Sequence, residues 1–251
     1  MALSGDEFDP VAASGLSRGA VVGPYELIRL LGAGGMAEVW LARRADGAFK
    51  RDVALKLPLL TRRRQDLEQR FAHERDILAS LEHPNIARFY DAGVDTEGLP
   101  YLSMEYVQGQ TLMTWCDAHL LGIAERLGLF LQVLDAVNYA HDKHVIHRDL
   151  KPSNILVTDS GQVRLLDFGV AKLLQGEDGS EQTQLSRVYG QALTPDYASP
   201  ETLGGAPVDA RSDVYSLGMV LYELLTGARP YRLSPAASIA ALKRAADSVD
   251  I

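Results

Sequence analysis

The sequence predicts an α+β chain in two unequal halves, a small antiparallel β-rich half followed by a larger, mostly helical one. Three observations carry that expectation. Up to Pro58 the chain reads strand, glycine turn, strand, hairpin, strand, without the long crossovers that parallel strands need. After "MEYVQGQ" (Met104–Gln110), apolar residues recur at helical spacing over long stretches. The chain has 251 residues, 47% hydrophobic and 23% charged, which suffices for two small cores.

The elements follow in order. Residues 1–24 are rich in Ala, Ser and Gly without periodicity and read as a flexible N-terminal arm, or else as a capping segment. "YELIRLL" from Tyr25 is strand-like, "EVWLARR" alternates around Val39 and Leu41, Asp46-Gly47 is a hairpin signal, and "DVALKLP" is a strand stopped by Pro58. Residues 65–81 read as a helix whose stripe holds Leu67, Phe71, Leu78 and Leu81. "IARFYDAG" and "LPYLSMEYV" read as two more strands joined by the turn "VDTEG". Residues 124–143 form an amphipathic helix with Leu127, Phe130, Leu131 and Leu134 on its apolar face. "ILVTDSGQVRLLDF" is a short hairpin around Asp159-Ser160-Gly161, and residues 170–200 are polar and aperiodic. "RSDVYSLGMVLYELLTG" is an apolar helix closed by Gly227, and "SPAASIAALKRAADS" a weaker last helix. A cleft between two such halves is a common ligand site.

Composition excludes some classes. A net charge of −8 argues against nucleic acid as the main partner. The single cysteine, Cys116, rules out an internal disulfide framework and reads as a small buried apolar residue. The chain has no run of 18 apolar residues, and its acidic start, "MALSGDEFDP", has no apolar signal core. Both fit a cytoplasmic setting.

Two local features are unusual. Gly32-Ala33-Gly34-Gly35-Met36-Ala37 fits G-x-G-x-x-G/A, and Asp52 lies about where a dinucleotide's ribose would want an acid. That fingerprint must open a helix, whereas here a β-branched, aromatic strand follows. Glu74 falls within an otherwise apolar helical stripe. A carboxylate there sits at the stripe's edge or requires a cation, and Lys56, between Leu55 and Leu57, is a plausible partner.

"HRDLKPSN" (His147–Asn154), "DFG" (Asp167–Gly169), "VALK" and "SPE" (Ser199–Glu201) join the glycine turn in one order. With them the sequence, from Tyr25 to about Gly227, resembles a eukaryotic-like protein kinase of the bacterial Ser/Thr type. The resemblance implies a bilobal protein-kinase-like fold. Its N-lobe would span 25–104, its hinge 105–109 and its C-lobe 110–251. It implies ATP and Mg²⁺ as cofactors, and Ser/Thr hydroxyls of protein substrates as acceptors.

Residue by residue, Lys56 would hold the ATP α- and β-phosphates and pair with Glu74. Asp149 would accept or orient the hydroxyl proton, and Lys151 would steady the γ-phosphate. Asn154 and Asp167 would hold Mg²⁺. Gly32, Ala33, Gly34 and Gly35 would cover the phosphates. Leu31, Val39, Ala54 and Leu156 would sandwich adenine, with Met104 at the back of its pocket and the hinge at Glu105, Tyr106 and Val107. Lys151 and Thr194 resemble the Ser/Thr class. Arg148 suits a switch by activation-loop phosphorylation, with Thr183 and Ser186 as candidate sites and self-association as a route to autophosphorylation.

The chain departs from the family pattern in three ways. Ala37 replaces the third loop glycine. "GQALTPDYASPE" holds two extra residues before Thr194. Two terminal helices are missing, including an Arg partner for Glu201, which would leave that carboxylate buried and unpaired. The departures suggest an alternative, a nucleotide-binding pseudokinase-like scaffold with little turnover. The resemblance also implies that the chain can be the cytoplasmic domain of a longer, membrane-anchored protein.

Overall fold

The computed structural model describes residues 14–34, 37–47, 51–58, 77–168 and 195–230. The chain divides into two units, one of residues 1–75 and 89–106, the other of residues 76–88 and 107–251.

The first unit is built on a six-stranded antiparallel sheet in the order β1-β2-β3-β4-β6-β5. Its strands are β1 (Val21–Val22), β2 (Tyr25–Ala33), β3 (Ala37–Arg44), β4 (Asp52–Pro58), β5 (Phe89–Val94) and β6 (Pro100–Glu105). β2 and β3 are the two arms of a hairpin, with Gly32 opposite Val39 and Ala33 opposite Glu38. The glycine motif is therefore a hairpin tip, as its β-branched sequel predicts. Alternation along the strands buries Tyr25, Leu27, Trp40, Ala42, Val53, Leu55 and Leu57 in one core. Tyr101 closes that core, its ring edge-on to Tyr25 at 5.8 Å. Gly23, in the β1–β2 turn, is required twice: its φ is +54°, and a Cβ there would lie 2.5 Å from the Tyr101 ring.

The N-terminal arm needs correction where it is described. Leu16 and Ala20 pack against the core of this unit, and β1 pairs with β2. Residues 14–24 are thus docked on this unit, with only Val21–Val22 joining the sheet, where a flexible arm was expected; residues 1–13 lie outside the described residues. The segment docks through backbone bonds together with the Leu16, Ala20 and Ser14 side chains, without an amphipathic stripe. The predicted helix over 65–81 lies mostly outside the described residues; from it, Leu78 and Leu81 are buried in the second unit.

The second unit holds a three-stranded sheet, β7 (Gln110–Thr111), β8 (Ile155–Val157) and β9 (Val163–Leu165), with the helices α1 (Leu112–Ala118), α2 (Ile123–Asp142), α3 (Pro200–Gly204) and α4 (Ala210–Thr226). Thr111 caps α1, Ser199 caps α3 and Asp209 caps α4, each accepting a backbone N–H of the first turn. Gly227 ends α4 in the left-handed conformation, as the sequence predicts. Cys116 is fully buried in α1, and burial pushes its thiol pKa up, in line with a packing role.

α2 turns a different face inward from the one expected. Leu129, Phe130, Val133, Ala136, Val137 and Ala140 are buried, whereas Leu131 is 63% exposed and Leu127 and Leu134 lie at the boundary. The cause is steric. β9 and α4 pack on this helix, and the small residues Ala136 and Ala140 on its buried side suit close packing better than bulky leucines would.

Candidate active site

In the second unit the site is assembled by backbone hydrogen bonds before any charge is considered. His147 is fully buried. Its Nδ1 accepts the Asp149 N–H at 3.3 Å, so its Nε2 donates to the Leu166 carbonyl at 2.8 Å. The ring also packs on Phe168 at 4.7 Å. The Leu166 N–H donates to the Asn154 carbonyl at 2.8 Å. The loop bearing Asp149 and Asn154 is thereby tied to the strand end that carries Asp167. Arg148 and Asp167 both have positive φ, +69° and +60°. That strained backbone is the kind found where a fold must aim a functional side chain.

Around Asp149 the geometry is specific. Lys151 Nζ lies 2.8 Å from Asp149 Oδ2. Asn154 Nδ2 donates to the Asp149 carbonyl at 2.8 Å and to Oδ2 at 3.1 Å. These bonds engage the Asn154 amide nitrogen and so fix the side chain. On the carboxylate they fall on Oδ2, so Oδ1 is the oxygen left to meet a hydroxyl. A 3₁₀ turn over Pro152–Asn154 follows Lys151, and Lys151 and Asn154 both reach Asp149 Oδ2.

In the first unit, register defines a face. Val39 lies opposite Lys56, which lies opposite Leu102. Leu41 lies opposite Ala54, which lies opposite Met104. Lys56, Val39, Ala54 and Met104 therefore share one side of the sheet, next to Gly32 at the hairpin end. The Gly34 N–H donates to the Ala37 carbonyl at 3.0 Å, closing the hairpin. Ala37 is not among the positive-φ residues, so a side chain in place of the third glycine brings no backbone strain.

The predicted residues fall into two sets, one in each unit. Asp149, Lys151 and Asn154 are joined by direct bonds, and Asp167 is held beside them by the Leu166 links. Leu156 lies on β8 and Val107 begins this unit's linker. Leu31, Gly32, Ala33, Gly34, Val39, Ala54, Lys56, Met104 and Glu105 belong to the first unit's sheet and its hairpin. Gly35, Glu74, Thr183, Ser186 and Thr194 lie outside the described residues.

One functional residue was missed. Asp213, in the first turn of α4, is 1% exposed. It accepts the His147 N–H at 2.8 Å, the Arg148 N–H at 2.9 Å and His141 Nε2 at 2.8 Å. Burial pushes its pKa up, but these donors outweigh burial and hold it below the ordinary carboxylate value. Its only signal in the sequence was a carboxylate opening an otherwise apolar helix.

The fear of an unpaired Glu201 is also corrected. Its side chain is half-buried and accepts the Ser212 hydroxyl. Burial raises its pKa, and the bond from Ser212 and the first-turn backbone bring it below its ordinary value. Among the described residues no cluster of three or more His, Cys, Asp or Glu could hold a metal. The oxygen pair of Asn154 and Asp167 nonetheless suits a hard, largely hydrated cation.

Residues 25–248 match the protein kinase domain family, and the chain belongs to that family. Its relatives include serine/threonine-protein kinases of bacteria. It is 42% identical to PknB of Mycobacterium tuberculosis over 226 residues, covering 86% of this chain and 34% of that protein. It is 39% identical to PrkC of Bacillus subtilis over 223 residues, covering 88% and 33%. A probable serine/threonine-protein kinase of Streptomyces coelicolor is 42% identical over 214 residues, covering 83% and 31%. The chain thus spans about a third of the length of these relatives. Among the described residues no helix is long and apolar enough to cross a membrane.

Proposed function

We propose that the chain transfers the γ-phosphoryl group of ATP to Ser or Thr hydroxyls of proteins. The observation that carries this is the Asp149–Lys151–Asn154 cluster, in which a lysine and an amide both hold the same carboxylate oxygen, Oδ2. Phosphoryl transfer relies on positioning and charge neutralisation, and this arrangement supplies both. Asp149 orients the acceptor hydroxyl and takes its proton, and Lys151 sits where developing charge on the γ-phosphate needs a cation. Lys56 holds the α- and β-phosphates and pairs with Glu74, and the β2–β3 hairpin covers them. Val39, Ala54, Met104, Leu31 and Leu156 enclose adenine, with Glu105 and Val107 at the hinge.

Asn154 and Asp167 are the residues that would hold Mg²⁺, which when bound neutralises phosphate charge. Activation follows from phosphorylation of Thr183 or Ser186, a dianion drawn to Arg148, with a second copy of the chain as the phosphorylating partner. The scaffold reading finds no support in the site, since Lys56, Asp149, Asn154 and Asp167 are all present.

The test is transfer of labelled γ-phosphate from ATP·Mg²⁺ to a generic protein substrate, compared with Asp149→Asn. The substitution keeps the shape and removes the base, so turnover should fall by about 10²–10⁴-fold. Equal activity in the two proteins would refute the reading.

A further inference from the structure

Glu38 is a carboxylate with 0% exposure that no step above uses. It lies on β3 next to Ala37, opposite Ala33 on one side and Leu57 on the other. Its neighbour Val39 pairs with Lys56, so Glu38 points to the opposite face, into the core. A buried carboxylate persists only where donors meet it. Among the described residues its donors include the Ser14 N–H, to Oε1 at 2.8 Å, Ser14 Oγ, to Oε2 at 2.6 Å, and Trp40 Nε1, to Oε2 at 3.1 Å.

Two of these donors come from Ser14, 24 residues away in the chain. From Ser14 the chain runs back along β2. Gly19 N–H donates to the Leu27 carbonyl and Leu27 N–H to the Ala20 carbonyl, both at 2.8 Å, before β1 pairs with β2. The segment therefore grips both arms of the glycine hairpin, β2 by backbone and β3 through Glu38. Its anchor is one residue from Ala37, whose carbonyl closes the hairpin tip. Charge-assisted bonds to a buried group are the strong kind, and a buried carboxylate left short of donors is costly.

We propose that Ser14 and Glu38 are positioning residues for the nucleotide: the segment Ser14–Val22 is a strap, latched by Ser14 onto Glu38, that holds the β2–β3 hairpin in its ATP-covering position. This rests on the reading of that hairpin as a phosphate cover. It assigns a role to an N-terminal stretch that carries no motif. Anything that places negative charge on Ser14 would oppose Glu38 and release the latch.

The test uses the full chain with Ser14→Ala, Ser14→Asp and Ser14→Thr, and two readouts. The first is amide hydrogen exchange without nucleotide, with α4 as the internal check of folding. The second is KM and kcat for ATP. Ser14→Ala and Ser14→Asp should speed exchange in β2 and β3 beside the tip and raise KM for ATP about three- to tenfold, with kcat within about twofold. Ser14→Thr, which keeps the hydroxyl, should restore both. Faster exchange confined to residues 14–22, with β2, β3 and KM unchanged, overturns the proposal. If the unsubstituted chain turns over no ATP, the nucleotide reading falls, while exchange in β2 and β3 still decides whether the strap holds the hairpin.

Discussion

At the scale of single residues, Asp213 shows how a carboxylate can shape a site without touching substrate. It receives two consecutive backbone N–H groups of the loop that carries Asp149, and so fixes the turn at Arg148 with its positive φ. Asp213→Asn would put an amide where three donors converge, leaving at least one buried N–H unmatched. Unfolding free energy at neutral pH should fall by about 2–4 kcal/mol, measured by urea denaturation. The pH dependence follows from the lowered folded pKa. The unfolded chain binds this proton more tightly, so the stabilisation is complete above the ordinary carboxylate value near ~4 and is lost as pH falls through the lower folded value. The Asp213→Asn deficit should therefore shrink on acidification below about pH 4; a deficit constant to pH 2 would show that the carboxylate's charge is not what matters. The motif residues around Asp149 were legible because their chemistry demands particular side chains at short spacing. Asp213 and Glu38 were not, because the partners of Asp213 lie 65 to 72 residues away and Ser14 lies 24 residues from Glu38, and no motif marks either carboxylate.

At the scale of elements, legibility followed the length and purity of the pattern. The antiparallel order of the first sheet could be read because its turns are short and its strands alternate. Gly227 correctly marked the end of α4. α2 misled because it is apolar on two sides, and the larger leucines drew attention to the outer one. Packing chose the side with Val133, Ala136, Val137 and Ala140. Leu131→Ser should then change stability by no more than about 0.5 kcal/mol, as surface substitutions do. Val133→Ala, which leaves a cavity at a fully buried position, should cost about 1–3 kcal/mol. Thermal and urea unfolding of the two variants decide it, and a larger loss for Leu131→Ser would restore the face read from sequence. The strap escaped notice for the opposite reason: a stretch of Ser, Gly and Ala has no periodicity, and its docking depends on a sheet that forms elsewhere in the chain.

At the scale of the whole molecule, charge and ligand must be considered together. The chain carries a net charge of −8, yet the reading gives it ATP, an anion, as substrate. Long-range attraction cannot supply the affinity, because the mean field repels and salt screens it beyond about 10 Å. On the proposed reading binding rests on local cations, the lysines Lys56 and Lys151 and a Mg²⁺ that Asn154 and Asp167 would hold. A ligand that binds only the folded chain stabilises it by about 2.7 kcal/mol at a hundred times its Kd. For a chain of this size that corresponds to a rise in Tm of about 5–10 °C. ATP with Mg²⁺ should give that rise, and ATP with a chelator a clearly smaller one. Asp167→Asn should erase the difference between the two conditions while keeping the part due to ATP alone. The measurement needs no turnover, so it separates nucleotide binding from catalysis. Equal shifts with and without Mg²⁺ in the unsubstituted chain would mean that Asn154 and Asp167 do not form a cation site, and that the lysines alone offset the phosphate charge.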